Sequence, residues 1–591
     1  MARLAIILHD GSPGSRELRL GRILDFFGVP WKMVEPSKLG DMDGSGLEYA
    51  VFGSIRAVAA TIEQCEGANP PALRPAAFYA YADDQRSLCV SALQSLLGDT
   101  NLSLHEAPAG NLPLSVSDEL ADLAGPMAGL KFSLRLGSED AVLTGVPTGG
   151  ESMFAAVISA GDAPVFFRFQ HDGAPIFLCT SSQMVDIDEP VGHGFYDVRD
   201  HFCSAVPLVM FIRFIFSEVA WRPQELGACL IIDDPLLKPQ YGFCNFAKLR
   251  DLMRGHGFTT NIAFIPWNWR RTSPAAGKFF RDESRLFSVS IHGCDHTAGE
   301  FGATLPDVLH TRAQLARSRM RNHEARTGIQ HDSIMVFPQG AFSSACPEVL
   351  KHNGFLAAVN TEVLPMDFQN ARTRIRDVWD LAIMTYGNFP IFTRRYAFHG
   401  LENFAFDLLL GKPCLIVAHH DFFKDDGVAL IELVEKFGSL NCSLRWQPLG
   451  QVIRRACRRR SNGAGKEELE MYGNELLVDN PLGQAIEVRI CKRKSQDDFA
   501  SEILCDETPV TWATEGEHFV FGDQIRPHGE KCFRVIYRGQ GHSGKVRRSL
   551  RFELAVASRR ILSEFRDNYL STSRLLSVPA ERLKSVLRKA S

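Results

Sequence analysis

The chain has 591 residues, with 65 Lys/Arg against 69 Asp/Glu, 45% hydrophobic residues and 23% charged ones. At about 150 residues per domain, that length implies three to four domains. The balance excludes a disordered chain, a collagen-like repeat and a basic nucleic-acid binder, so no nucleic-acid partner is expected.

The opening run Arg3-Leu-Ala-Ile-Ile-Leu ends where His9 and Asp10 follow. A signal peptide needs about 7–15 apolar residues and a small-residue cleavage site, so none is expected here. The 14 cysteines contain no C-x-x-C pair, which removes zinc-ribbon and thioredoxin-type readings. Without an export signal they read as reduced, mostly buried thiols of a cytoplasmic protein.

Residues 1–200 alternate short apolar runs (3–9, 49–54, 76–82) with helical patterns, the mark of a parallel sheet covered by helices. The pattern resembles flavodoxin-like and class I amidotransferase-like domains. No nucleophile elbow occurs in it, so a non-catalytic role is expected. The loop from Asp10 to Ser15 reads as a turn, with anion binding at the helix start as the alternative. Farther on, Val165-Phe-Phe-Arg-Phe and Ile176-Phe-Leu-Cys flank His171-Asp-Gly, a hairpin signal. Cys203 to Trp221 is the most apolar stretch, but Arg213 and Glu218 interrupt it. A membrane span needs about 20 apolar residues, so a buried helix or strand is expected and no span.

Residues 224–460 alternate again, with strands expected at Cys229–Ile232, Thr259–Ile265, Leu286–Ile291, Ser333–Phe337, Ala357–Val359 and Cys414–Ala418. Helices are expected over Asn245–Gly255 and Leu309–Arg326. Short strands bounded by Gly, Pro or Asp suit a (β/α) barrel, which carries its functional groups at strand C-terminal ends. The basic cluster Arg454-Arg-Ala-Cys-Arg-Arg-Arg reads as a solvated helix end or a phosphate contact, and Ser461-Asn-Gly-Ala-Gly as a linker. A small β-sandwich over 466–556 and a helical tail over 557–591 complete the chain. Ile561, Phe565 and Tyr569 share one tail face, expected to dock on a domain of this chain or on a partner.

Four clusters in the middle region carry chemistry. Asp233-Asp234 follows a buried strand, where two adjacent carboxylates need a counter-charge such as a metal. His292-Gly-Cys-Asp-His296 places two histidines where they can converge on one ion. Phe337-Pro338-Gln-Gly340-Ala-Phe342 is a strand followed by a tight turn able to offer N–H groups to an oxyanion. His419-His420 ends the last apolar strand and could supply a general acid. Each alone also reads as an ordinary polar strand end. A further cluster, Trp267-Asn-Trp269-Arg270-Arg271, suits a sugar ring and an anionic group, or local packing. Tyr241 beside Gly242 is a candidate of the same kind.

In order and position, the four clusters resemble the polysaccharide deacetylase superfamily (the NodB-homology fold, carbohydrate esterase family 4 and relatives). Its T-F-D-D motif is matched by Ile231-Ile-Asp233-Asp234, and H-[ST]-x-x-H by His292 to His296 with Gly293 replacing Ser/Thr. R-x-P-x-G is matched by Val336-Phe-Pro338-Gln-Gly340, and L-x-x-H by Ile416-Val-Ala-His419. The resemblance implies a distorted (β/α) barrel over 224–460. It implies a divalent ion, often zinc, on Asp234, His292 and His296, with Asp233 as general base. It implies backbone near Ala341 and Phe342 as oxyanion donor, and His419, or His420 beside it, as the acid. Pro338, Gly340, Phe342, Trp267, Trp269, Arg270 and Tyr241 are the candidate substrate contacts. The implied activity is removal of N- or O-acetyl groups from an amino-sugar carbohydrate, either a polymer or a lipid- or nucleotide-linked precursor. Two departures stand out. Val336 replaces the third-motif arginine, for which Arg374 and Arg376 are the candidate substitutes. Asp377-Val-Trp379-Asp380 only rearranges the family's D-x-x-D-W. An inactive sugar-binding scaffold and a related C–N or glycosidic hydrolase are the alternative readings.

Overall fold

The structure is a computed structural model that describes residues 2–41, 48–66, 75–98, 101–145, 154–171, 173–463, 465–495, 498, 500–537 and 549–570. Between Leu4 and Cys179, nine strands form one sheet. Strands Leu4–Leu8, Tyr49–Ser54 and Ala77–Tyr81, at the three expected apolar runs, pair in parallel, and the partly exposed strand Trp31–Val34, which no apolar run announces, joins them at the edge. Ala163–His171 and Ala174–Cys179 form the expected hairpin, whose Asp172 lies outside the described residues. Gly14 caps the helix Ser15–Phe27, and its N–H donates to Glu17 Oε2 at 2.8 Å. A carboxylate of the chain thus fills the place an anion would take, and the loop is a turn.

The apolar stretch after Phe202 is the helix Phe202–Ile215, packed through Phe211 on Phe52 and Phe177 of that sheet (ring centroids 5.2 and 5.1 Å apart). Among the described residues, no helix is long and apolar enough to cross a membrane. Ten of the 13 described cysteines are buried, as expected of small apolar side chains.

The second sheet is parallel and nearly closed. Leu226–Asp233, Thr260–Phe264, Phe287–His292, Ile334–Val336 and Ala357–Asn360 pair in sequence order, and Cys414–Ala418 lies on the other side of Leu226–Asp233. The closing strand comes in two pieces. Ile391–Thr393 pairs with Ala357–Asn360, whereas Arg395–Tyr396 pairs with Cys414–Ala418. Arg394 alone separates them, so the sheet meets itself at that residue.

Two further sheets, of six and four strands, pack around a core that includes Leu469, Ile490, Phe521 and Phe533. Strand Cys457–Ser461 belongs to this sandwich and pairs with Lys466–Met471. The Gly-rich segment, whose Ala464 lies outside the described residues, thus joins two antiparallel strands rather than two domains. Arg454 and Arg455 do end a helix, Leu449–Arg455, but they and the strand arginines that follow are paired with carboxylates rather than solvated or free for phosphate. Arg459 donates to Glu467 at 2.6 Å, Arg460 to Glu468 at 2.7 Å, and Arg458 lies 3.2 Å from Asp380. The strand pairing places Glu467 and Glu468 for Arg459 and Arg460, while Asp380, after the helix Ile375–Trp379, comes to Arg458 from the barrel.

The tail helix runs from Leu550 to Phe565, beginning before residue 557, and ends in a π turn over Arg566–Leu570. Residues beyond 570 lie outside the described ones. Among the described residues, Ile561, Phe565 and Tyr569 are 50–65% exposed and border a cavity beside Lys238, Gln240 and Gly242 of the barrel rather than being buried on it. The opposite side of the helix, with Val556 and Arg560, is buried.

Candidate metal centre and active-site pocket

A cavity of about 270 Å³ opens at the C-terminal ends of the barrel strands. Asp233 ends the strand Leu226–Asp233, and Asp234 follows it with a φ of 78°. His292 ends its own strand, and His296 lies in the loop beyond with a φ of 59°. Left-handed backbone costs a non-glycine residue about 1–3 kcal/mol and gathers at functional sites. Here it turns two candidate ligands toward one point. One donor atom each from Asp234, His292 and His296 lies within 4.8 Å of the others. His296 Nε2 is 3.0 Å from Asp234 Oδ1, and His292 Nε2 is 3.4 Å from it.

Their chemistry fits a divalent cation. His292 Nδ1 lies 2.9 Å from the Val336 carbonyl, so it donates there and leaves the Nε2 lone pair for a metal. Asp234 Oδ1 is buried without a well-formed hydrogen bond, a cost that a cation would remove. Burial raises Asp234, but the two imidazoles outweigh it and hold the carboxyl well below its usual range. Burial lowers His292, yet Asp233 and Asp234 leave it above the ordinary histidine value.

The loop between the histidines has its own scaffold. The Glu300 carboxylate accepts N–H bonds from Cys294 (2.7 Å), Asp295 (3.0 Å) and His296 (3.2 Å). This accounts for Gly293, where the resemblance leads one to expect Ser or Thr. Its φ is 63°, and a Cβ there would collide with Glu300 Oε1 and Pro338.

Asp233 is held by Arg394, a residue that no sequence cluster singles out. Nη1 donates to Oδ1 and Nη2 to Oδ2, both at 2.7 Å, with both residues buried. Burial pushes the Asp233 carboxyl up, but Arg394, His292 and His419 keep it below the usual carboxylate range. Arg374 and Arg376 do not serve. Both reach the carboxylate of Asp188, at 3.7 and 2.9 Å, away from the pocket.

Gly340 and Gln339, at φ 69° and 59°, bring the third-cluster turn into the pocket wall. Buried Asn360 braces it by donating to the Gly340 carbonyl at 2.8 Å. Ala341 N–H donates to Pro338 O at 3.2 Å, so that proposed oxyanion donor is committed within the turn. Pro338 and Phe342 are buried and do not line the pocket; Phe342 packs on Phe337, with ring centroids 5.4 Å apart.

His419 lines the pocket and His420 does not. Its neighbour turns to Phe243 and Tyr241 (ring centroids 6.0 Å from each), with Nε2 3.6 Å from Asp567 of the tail helix. Tyr241 is buried and donates to Asp567 at 2.8 Å, so it anchors the helix rather than a ligand. Trp267, Trp269 and Arg270 also lie outside the pocket. Arg270 stacks on Trp269 at 4.5 Å, while Arg271 pairs with Glu564 of the helix, one contact being 2.8 Å. The aromatic surface at the pocket is instead Tyr396, whose ring stacks on Phe398 at 4.9 Å; Phe398 is 78% exposed.

No protein-family description matches this sequence, and no curated protein matches it. Partial similarities to solved structures exist. A family 4 carbohydrate esterase from Streptomyces lividans, in complex with acetate, is 15% identical with a TM-score of 0.23, over 37% of this chain and 91% of that one. The chitin deacetylase of Colletotrichum lindemuthianum is 15% identical with a TM-score of 0.23, over 39% of this chain and 88% of that one. A beta-galactosidase from Bacillus circulans sp. alkalophilus is 12% identical with a TM-score of 0.19, over 31% and 28%. Overlaps this partial carry no functional weight, which the geometry of the site has to supply.

Proposed function

We propose that this chain is a metal-dependent hydrolase that removes N- or O-linked acetyl groups from an amino-sugar-containing carbohydrate. The observation that carries the proposal is the convergence of Asp234, His292 and His296 beside a second, separately held carboxylate in one pocket. Those residues would hold a divalent ion, with zinc suited to two imidazoles and a carboxylate. The ion would supply Lewis acidity toward a water and a carbonyl oxygen.

The chain's own residues supply the proton traffic. Arg394 fixes Asp233 through both oxygens and keeps it ionised, so a carboxylate oxygen is ready to take the proton of an attacking water. His419, at the rim, gives a proton from an imidazole nitrogen to the departing amine or alcohol. Acetate leaves on one side of the cleaved bond and the sugar amine or hydroxyl on the other. Tyr396 and Phe398 offer a ring face to the sugar. Val336 in place of a third-motif arginine is the ground for the alternative of a binding-only scaffold, and the pairing of Arg394 with Asp233 supports the hydrolase reading instead.

Acetate release from acetylated amino-sugar oligomers tests the reading. Asp233→Asn is expected to cut the rate by about 10²–10⁴, the usual worth of a positioned base, with metal content unchanged. Full activity in that variant would remove Asp233 as the base.

A further inference from the structure

The tail helix sits on the barrel the wrong way round for a surface helix. An amphipathic helix normally buries its apolar stripe and turns its polar side to water. Here the barrel takes the polar side. Glu564 pairs with Arg271, Asp567 accepts from Tyr241 at 2.8 Å, and Asn568 accepts the Gly242 N–H at 2.8 Å. Burial raises Asp567, but His420, Arg566 and Tyr241 lower it to about 2, so this dock stays charged under ordinary conditions.

The side not held by these contacts is apolar and largely exposed, with Ile561, Phe565 and Tyr569 at the edge of an open cavity beside Lys238, Gln240 and Gly242. Leu550, Leu554, Ile561, Phe565 and Tyr569 recur at spacings of four and seven, and they are between 50% and 83% exposed. Leu562 adds to the same surface. Arg551 and Arg559 are exposed on the helix as well, and Arg566, which pairs with Asp567 at 2.7 Å, is still 57% exposed. The charge is unevenly distributed along the chain. Residues 538–591 hold thirteen Lys/Arg against four Asp/Glu, leaving 52 against 65 in the rest.

We propose that the outward side of this helix is a docking surface for an anionic lipid bilayer. Large apolar side chains beside arginines, on a helix too polar to insert, are the makeup of an interfacial helix. Arginine stems lie along the acyl boundary while their guanidinium groups reach anionic headgroups. A second copy of this chain fits less well. A two-fold contact through this stripe would bring the arginines of one copy, Arg551, Arg559 and Arg566, toward those of the other.

The placement has a consequence for the pocket. Tyr241, Arg271 and His420, which hold the helix, follow strands Leu226–Asp233, Thr260–Phe264 and Cys414–Ala418. The helix therefore occupies the same barrel end as the candidate active site. A bilayer on the helix would hold that end close to the lipid surface and present the pocket to sugars borne on lipid anchors. That consequence rests on the proposed deacetylase reading; the docking does not.

Vesicle co-sedimentation of the full chain separates the two. Phosphatidylcholine vesicles containing phosphatidylglycerol are expected to bind roughly tenfold or more protein than phosphatidylcholine alone, and salt should weaken the binding. The double variant Leu554→Glu/Ile561→Glu should lose the binding while its melting temperature stays unchanged, because both side chains are exposed. Absence of sedimentation with anionic vesicles would overturn the proposal, as would equal binding by the double variant. A dimer in solution that the double variant breaks, without vesicle binding, would assign the stripe to a second copy. Vesicle binding needs no turnover, so its outcome is independent of whether acetate is released.

Discussion

Two polar clusters sit at one end of the barrel, reached from adjacent residues, and they are built on opposite terms. On the His419 side, donor atoms of Asp234, His292 and His296 crowd within 4.8 Å, a buried carboxylate oxygen lacks a good hydrogen bond, and Asp234, His296 and Gln339 hold positive φ. On the His420 side, Arg271 meets Glu564, and Asp567 meets Tyr241 and Arg566. The second cluster pairs its charged groups within the chain and joins two elements, although His420 Nδ1 is buried without a partner. The first gathers three metal-ligating donor atoms around left-handed backbone and an unmet carboxylate oxygen, which a bound cation would satisfy. Adjacent histidines thus part into a pocket residue and a fastening, a division that residue type cannot reveal.

The comparison can be broken most severely at Arg394. Arg394→Met leaves Asp233 buried beside no guanidinium, so stability should fall by about 3–5 kcal/mol, read by denaturant unfolding. The sign with pH follows from the depressed carboxyl. Its stabilising share is full above the unfolded carboxylate value and is lost as pH falls through the lower folded value. Without Arg394, burial loses its main opponent. The acid limb of kcat/KM should then move to higher pH, and an unmoved limb would count against the pairing.

His419→Ala against His420→Ala sharpens the contrast. The first should lower kcat by roughly 10² or more with little change in melting temperature. The second should loosen the tail helix and lower the melting temperature, while kcat stays within a few-fold of the parent. Equal kcat losses would erase the division. The smallest effect concerns the sugar platform. Phe398→Ala should raise KM, since one ring face against the sugar is worth about 1 kcal/mol, whereas Trp269→Ala should leave KM unchanged.

Much of this site was legible in the sequence, because its core rests on local pattern. Short apolar runs ending in Asp-Asp, His-x-x-x-His and His-His place Asp233, Asp234, His292, His296 and His419 at strand ends, and all of them line the pocket. What escaped depends on contacts distant along the chain. Arg394 lies between two fragments, Ile391–Thr393 and Arg395–Tyr396, each too short and too mixed to announce a strand. Its partner Asp233 is 161 positions away. Glu300 is one acidic residue among many until its carboxylate is seen gathering three loop N–H groups. Trp267 and Trp269 had the composition of a sugar platform, but the tail helix claims their neighbourhood through Arg271. The arginine cluster near residue 458 had the composition of an anion site, and the strand register set carboxylates opposite it. In each case composition named a suitable chemistry, and packing chose the partner.

The central claim is that Asp234, His292 and His296 form a metal centre. Elemental analysis of the full chain, purified without chelator, tests it most directly. The account predicts one equivalent of a divalent ion per chain, lost in His292→Ala and retained in Asp233→Asn. A wild-type chain without stoichiometric metal, or a His292→Ala chain that keeps it, would contradict the account.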